Sequence, residues 1–338
     1  MPVFVVGASR SGTNFVRALL NAHSRIWVSA ETHYFDDLRP RLREGDREAC
    51  EQYFLSLAHR AYGRGGDPAH AKIDPAELRR RASELGGAGD AYFEAFCELR
   101  ARLHGKELWG EKTLRHAFRI AEIVEAFPSA KIVCLVRDPR AVVASYRDWH
   151  TGGIRPGLDE GNAAGLAAER ERSRRSYHPV LAGLLWRGVI RAEHDALRRY
   201  GSERVRLQRF EDLASRPEPA VRELCAWLGI DFEPAMLEIP VVNSSYSGGG
   251  SSEAVDRWRA TLPSRDLAIV EHCCCRLMDD LGYTRAAPRL SALSYAAAWL
   301  SVPYATVRAA LANRRRLGRA VEYVRRRGSL AFSKGSLR

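Results

Sequence analysis

The hydrophobic pattern along the chain switches repeatedly between short apolar runs and helical periodicity. Val3-Phe-Val-Val6 is a continuous apolar run stopped by Gly7, and it predicts a short buried strand. Phe15, Ala18, Leu19 and Ala22 then share one face of a helix over about 14–22. Ile26–Ala30 reads as a second strand. Residues 36–105 read as polar and helical, broken at Gly63–Pro68 and Leu85–Gly89. Ala117, Phe118, Ala121 and Val124 fit a helix that ends near Pro128, and Lys131–Val136 is again a strand. Asp138 stands where an N-cap belongs, with Pro139 at the first helical position. Val180–Tyr200 reads as a helix, Arg204–Phe210 as a strand, Val221–Leu228 as a helix ended by Gly229, and Ser264–Leu281 as a helix stopped by Gly282. Gly152–Gly165 and Ser244–Ser252 read as mobile loops.

Strands that alternate with helices predict an α/β fold in three layers, with a mainly parallel central sheet and helices on both faces. Residues 1–284 form one body in this reading. Within it, 36–105 is a helical insertion that shapes a substrate site, and 285–338 is a separate helical tail.

Charge sharpens that division. The 338 residues carry a net +12, but residues 285–338 hold twelve Arg or Lys and one acid, Glu322. The first 284 residues are close to neutral, with 41 basic and 40 acidic side chains. A basic tail on a neutral body points to contact with an anionic surface, lipid or nucleic acid, and the lipid reading is retained here. Leu290–Val307 is free of charge for 18 residues, the lower length for a membrane span, yet it is rich in Ala and Ser and contains Pro303. Leu311, Leu317, Val321 and Val324 are spaced like a helix face within the basic stretch Arg308–Arg327. The expectation is peripheral association with an anionic membrane, the alternative being a helix packed on the body with a solvated basic face. Seven cysteines, three of them adjacent and none in a CxxC pair, read as reduced thiols of a cytoplasmic protein without a metal site. The short N-terminal apolar run does not read as a signal peptide.

The candidate chemistry begins in the loop after the first strand. Gly7-Ala-Ser-Arg-Ser-Gly12 has the GxxxxG spacing of a phosphate-binding loop, which offers backbone N–H groups to an anion at a helix N-terminus. Thr13 and Asn14 stand where a nucleotide kinase places lysine and a magnesium ligand. Arg10 and the hydroxyls of Ser9, Ser11 and Thr13 suit an anion bound without metal. A second unit of the same kind is Val133-Cys-Leu-Val-Arg137, at a strand end, with Ser145 eight residues on in the following helix. An arginine fork and a hydroxyl so placed can clasp one phosphate.

With these segments the chain resembles the sulfotransferases that use 3′-phosphoadenosine 5′-phosphosulfate (PAPS). Ser9-Arg-Ser-Gly-Thr-Asn14 is similar to their 5′-phosphosulfate loop, with Ser9 in place of proline and Asn14 in place of threonine. Arg10, Ser11, Gly12, Thr13 and Asn14 are thereby implied to bind the donor. Arg137 and Ser145 resemble the family's 3′-phosphate pair in type and spacing. Arg257-Trp258-Arg259 resembles the segment that closes over the nucleotide, which implies a phosphate contact for Arg257 and a place near adenine for Trp258. Arg209-Phe-Glu-Asp-Leu213 resembles a strand end that usually carries tyrosine at the position of Phe210. Glu211 and Asp212 there read as structural.

Sulfuryl transfer requires a base for the acceptor hydroxyl and a cation for the departing oxygen. Glu31, in Ser-Ala-Glu-Thr-His, resembles the catalytic glutamate of tyrosylprotein sulfotransferases, and burial is expected to raise its pKa against the pull of cationic neighbours. His33 is the rival base. Lys112, in Trp-Gly-Glu-Lys-Thr, resembles a segment of bacterial and carbohydrate sulfotransferases and is implied to act with Arg10 at the bridging oxygen. The resemblance implies PAPS as donor, adenosine 3′,5′-bisphosphate as product, no metal, and a small-molecule, glycan or lipid-linked hydroxyl as acceptor. A P-loop nucleotide kinase, or a non-catalytic protein that binds nucleotide or membrane, is the alternative.

Overall fold

The structure, a computed structural model, describes residues 1–43, 46–59, 73–87, 89–149, 163–239 and 251–313. The loops expected at Gly63–Pro68, at Gly152–Gly165 up to residue 162 and at Ser244–Ser252 up to residue 250 lie outside these. So do Leu317, Val321 and Val324.

Five strands pair in parallel: β1 (Val3–Gly7), β2 (Ile26–Ser29), β3 (Leu108–Lys112), β4 (Lys131–Val136) and β5 (Val205–Arg209), in the order β2-β3-β1-β4-β5. The first half of the chain supplies helices α1 (Thr13–Ala22), α2 (Arg47–His59), α3 (Pro75–Glu84), α4 (Gly89–Leu103), α5 (Ile120–Ala126) and α6 (Pro139–Asp148). The second half adds α7 (Ala163–Ser176), α8 (Pro179–Tyr200), α9 (Phe210–Ser215), α10 (Pro217–Leu228), α11 (Ser251–Asp256) and α12 (Trp258–Thr261). The chain continues into α13 (Ser264–Asp280), α14 (Ala292–Leu300) and α15 (Val302–Ala312).

The two-residue period of a strand divides the core into two layers. Val3 and Val5 of β1, with Val133 and Leu135 of β4, pack on Val16 and Leu20 of α1 and Leu224 of α10. Phe4 and Val6, with Ile132 and Cys134, face the other way onto α4, α6, α8 and α13. Phe4 is ringed there by Phe35, Phe93, Trp109 and Phe127 at centroid distances of 5.9–6.2 Å. These apolar runs are covered on both faces, which is why they carry no polar alternation.

The stretch expected to be polar contributes one fully structural helix. Tyr92, Phe93, Phe96 and Leu99 of α4 are buried, and α4 packs on β2 and β3. Their helical spacing is obscured in the sequence by the intervening Glu94 and Glu98. Strand β3 was not anticipated, because Leu-Trp-Gly-Glu-Lys is neither a continuous apolar run nor a regular alternation. Its fit depends on Gly110, where a β-carbon would lie 2.6 Å from the Val3 carbonyl oxygen. Residues 114–118 form a 3-10 turn, so the following helix begins only at Ile120. At the C-terminal end, α15 packs against α7, and Arg308 donates to the Tyr177 carbonyl at 2.8 Å. No described helix is long and apolar enough to cross a membrane.

Candidate active site

In a parallel sheet every strand ends at the same edge, and ligands bind there. The β1–α1 loop, Glu31 just past β2, Lys112 at the end of β3, Arg137 after β4 and Phe210 after β5 all sit at this edge.

The loop is shaped for an anion. Ser11 Oγ donates to the Ala8 carbonyl at 2.6 Å, which commits that buried hydroxyl's proton to the turn. Gly12 takes φ 98° at the N-cap of α1 and provides no side-chain cap. The Phe210 ring would lie 2.5 Å from a β-carbon at Gly12. Thr13 is buried in the first turn, whereas Asn14 is exposed. Arg10 has φ 72°, a left-handed conformation that costs a residue with a β-carbon about 1–2 kcal/mol. The carbonyl it turns inward is held by Arg137 Nη1 at 2.9 Å.

That hydrogen bond joins the loop to the second anion-binding unit. Arg137 is buried after β4, donates Nη2 to the Ala254 carbonyl at 2.7 Å, and lies 4.2 Å from the Phe210 ring centroid. Burial pushes its pKa down to about 10, opposed by Glu211 and Asp138. Arg137 Nε is buried with no hydrogen-bond partner. Arg10 Nε donates to Ser145 Oγ at 3.0 Å, so the first arginine reaches the second site's hydroxyl. Arg137, Ser145, Arg257, Trp258 and Asp148 line a narrow crevice. Asp148 is the one acid in that lining; Arg147 pairs with it at 2.8 Å, and Arg257 lies 3.6 Å away. Trp258 is only 3% exposed, with the guanidinium carbons of Arg140 and Arg259 at 4.0 and 4.5 Å from its ring centroid. In this conformation the indole anchors its short helix more than it offers an open stacking face.

The third group holds the acid–base residues. Lys112 Nζ donates to Glu31 Oε1 at 2.6 Å, and His33 Nε2 lies 3.2 Å from Glu31 Oε2. Burial alone would raise the Glu31 pKa, but Lys112 and His33 outweigh it and hold the carboxyl well below the usual carboxylate range. The raised pKa expected from the sequence is therefore reversed, because the Lys112 ammonium and a hydrogen bond with His33 reach the carboxylate at once. Burial lowers the pKa of Lys112; Arg17 adds to that push, and Glu31 opposes it. His33 Nδ1 faces Arg115 Nη2 at 3.2 Å, and Arg115 also bonds Asp37 at 3.2 Å.

Beneath this group lies Glu111, which the sequence reading passed over. Its fully buried carboxylate accepts from Thr32 N at 2.8 Å, Thr32 Oγ1 at 2.9 Å and Thr113 Oγ1, and it faces His116 Nδ1 at 3.1 Å. Thr32 follows Glu31 and Glu111 precedes Lys112, so this one carboxylate ties together the backbone segments carrying both. Burial would raise its pKa, but His116, the Thr113 hydroxyl and the Thr32 backbone N–H bring it below the ordinary value. Its one signal in the sequence is its place beside Lys112 in the Trp-Gly-Glu-Lys-Thr segment. Among the described residues, no group of three or more His, Cys, Asp or Glu could hold a metal ion. All seven cysteines are free thiols.

A sequence model of the sulfotransferase family matches residues 2–234. This chain belongs to the sulfotransferase family. The sulfotransferase is 30% identical over 322 residues to carbohydrate sulfotransferase 5 of Mus musculus, covering 83% of this chain and 80% of that one. It is 22% identical over 302 residues to the protein-tyrosine sulfotransferase of Drosophila melanogaster, covering 83% of this chain and 51% of that one. A 28% identical match to carbohydrate sulfotransferase 3 of Tetronarce californica covers 50% of this chain and 40% of that one. Among solved structures, the sulfotransferase domain from the curacin biosynthetic pathway aligns over 84% of this chain and 99% of its own, at 19% identity and a TM-score of 0.46. Membership of the sulfotransferase family does not favour the nucleotide-kinase or non-catalytic readings.

Proposed function

We propose that this sulfotransferase takes its sulfuryl group from PAPS and transfers it in line to a hydroxyl of a carbohydrate, lipid-linked or natural-product acceptor. The observation that carries the reading is the meeting of Arg10, Arg137 and Ser145 at one edge of the sheet, with the Glu31–Lys112 pair at that same edge. The residues fit such a donor: a buried guanidinium nitrogen on Arg137 lacks a partner, and the crevice beside it presents Ser145 and Arg257. In this reading Arg137, Ser145 and Arg257 hold the 3′-phosphate. Arg10 and the backbone N–H groups of Ser11, Gly12, Thr13 and Asn14 hold the 5′-phosphosulfate. Trp258 borders the nucleotide. The bound donor supplies an activated sulfuryl group.

Lys112 meets the charge that grows on the bridging oxygen, a role worth about 10²–10³ in rate. Sharing its charge with that oxygen loosens its hold on Glu31, whose carboxylate regains basicity and accepts the acceptor's hydroxyl proton. As the new O–S bond forms, the bond from sulfur to the phosphate oxygen breaks. Adenosine 3′,5′-bisphosphate is the other product. His33 orients Glu31 from the far side.

The test is a calorimetric titration with adenosine 3′,5′-bisphosphate and with adenosine 5′-monophosphate. It is followed by transfer of label from radioactive PAPS to a panel of sugar, lipid-linked and small-molecule alcohols. Tighter binding of the bisphosphate and label on an alcohol are expected. Absence of heat with the bisphosphate, or transfer of the γ-phosphate of ATP, would overturn the reading.

A further inference from the structure

Most of the exposed large apolar side chains among the described residues lie in the last two helices. Leu293 and Leu300 of α14 are each 80% exposed, and Tyr304, Val307 and Leu311 of α15 are 71%, 58% and 65% exposed. Spacings of three and four place the last three on one face of α15. The orientation of that face is fixed by what the other side does. Ala305 is buried, Arg308 donates to the Tyr177 carbonyl, and Asn313 bonds Arg172 at 2.7 Å and Ser176 at 3.1 Å. At the start of α15, Ser301 meets His178 at 2.9 Å. The helix is docked on the body by its small and polar side, and the row of large apolar side chains faces outward. An apolar face of this kind marks an interaction surface.

The charge that follows says what covers it. Residues 314–338 hold nine Arg or Lys and one acid, a net +8 directly after the apolar row. Nucleic acid would satisfy that charge but not an aliphatic row. A second copy would satisfy the row, but it would bring two strongly positive segments together. An anionic bilayer answers both, and reversible membrane binding characteristically combines a modest apolar insertion with a polybasic stretch. We infer that α14 and α15 dock the protein on the surface of an anionic phospholipid membrane, with the apolar row entering the interface. The body stays in water.

The test uses the full chain. It is co-sedimented with vesicles of phosphatidylcholine mixed with phosphatidylserine, and with vesicles of phosphatidylcholine alone. Binding to the mixed vesicles, weakened by added salt, is expected. Replacing Leu300, Tyr304 and Leu311 together by serine should weaken that binding by about tenfold or more. Reversing Arg314, Arg315 and Arg316 to glutamate should weaken it at least as much. Unchanged melting temperatures establish that both variants are folded. Should the triple serine variant misfold, Tyr304→Ser and Leu311→Ser are read singly, since both side chains are mostly exposed. Equal binding to both vesicle types, or vesicle binding indifferent to the serine changes, overturns the inference. So does a dimer in light scattering that the serine changes dissolve while lipid binding persists.

Discussion

Two clusters share the sheet edge and differ in how their charge is met. Around the crevice, Arg137 spends its hydrogen bonds on two carbonyl oxygens, and Arg10 gives its Nε to a hydroxyl. Carbonyls and hydroxyls orient a guanidinium without cancelling its charge. Across the sheet, Glu31 is pinned between Lys112 and His33, and Arg115 is answered by Asp36 and Asp37. In the lining of the crevice Asp148 is the one carboxylate against Arg137 and Arg257, so the first cluster keeps a surplus of positive charge. The second is balanced and fully cross-linked. A surplus selects a polyanion, whereas a balanced pair stores a base that becomes available only when its cation is drawn elsewhere. In the proposed function binding falls to one cluster and proton transfer to the other, and variants in each should separate accordingly.

The largest separation is expected at Glu31. Glu31→Gln should lower kcat by about 10²–10⁴ and leave affinity for adenosine 3′,5′-bisphosphate within about threefold. Calorimetry beside steady-state rates checks both halves. A large loss of nucleotide affinity would make Glu31 a brace for Lys112 instead of a base.

Lys112→Ala comes next, at about 10²–10³ in kcat. Its pH dependence is the sharper reading. In the native protein Lys112 is the largest of the influences that hold the Glu31 carboxyl far below its ordinary pKa. Glu31 therefore stays ionised as pH falls, and its protonation does not limit the rate until well into acid. Without Lys112 the burial contribution is opposed mainly by His33, so the Glu31 pKa rises. The acid limb of the rate profile should then move to higher pH. A limb at the native position would show that Glu31 does not govern it.

The sheet and its edge were legible because β1, β2 and β4 are apolar runs bounded by glycine, proline or charge, and β5 alternates Val205 and Leu207 with polar residues. Strand β3 escaped for the reason that makes it useful: it carries Glu111 and Lys112, two buried charges, in place of apolar residues. Arg10, Arg137 and Ser145 could be picked out because they follow apolar strands at set distances, whereas Glu31 and Lys112 were reached only through segments that resemble those of sulfotransferases. How their charges are met could not. The partnership of Lys112 with Glu31 spans 81 residues of sequence, and that of Arg10 with Ser145 spans 135. Glu111 was hidden for the same reason, since its partners Thr32 and His116 become neighbours only when β2 and β3 pair. The near-enclosure of Trp258, 3% exposed beneath Arg140 and Arg259, was likewise not legible, because Arg140 is 118 residues away in the chain.

In the binding cluster the effects should fall on affinity. Arg137→Ala removes the bond that holds the Arg10 carbonyl and, in the proposed function, a charged partner of the 3′-phosphate. A roughly ten- to hundredfold loss of bisphosphate affinity is expected, with kcat at saturating donor changed far less. Equal losses for the bisphosphate and for adenosine 5′-monophosphate would move Arg137 from phosphate recognition to support of the loop.

Ser145→Ala is the smallest change and the one that tests whether the crevice and the loop are separate at all. A neutral hydrogen bond contributes about 0.5–1.5 kcal/mol, so bisphosphate affinity should fall by about two- to tenfold. The hydroxyl, however, also receives the Arg10 Nε proton at 3.0 Å, and Arg10 belongs to the loop. If Ser145 serves the 3′-phosphate directly, affinity for the 5′-monophosphate stays as it was and the preference for the bisphosphate narrows. If its main work is to hold Arg10, both ligands weaken together and the preference is untouched. A double-mutant cycle with Arg10→Ala separates the two routes, since residues acting through one contact lose less together than the sum of their single effects. Additive losses would mean two independent anion sites. Strong coupling would mean one continuous site in which Arg10 bridges the 5′ and 3′ ends of the nucleotide.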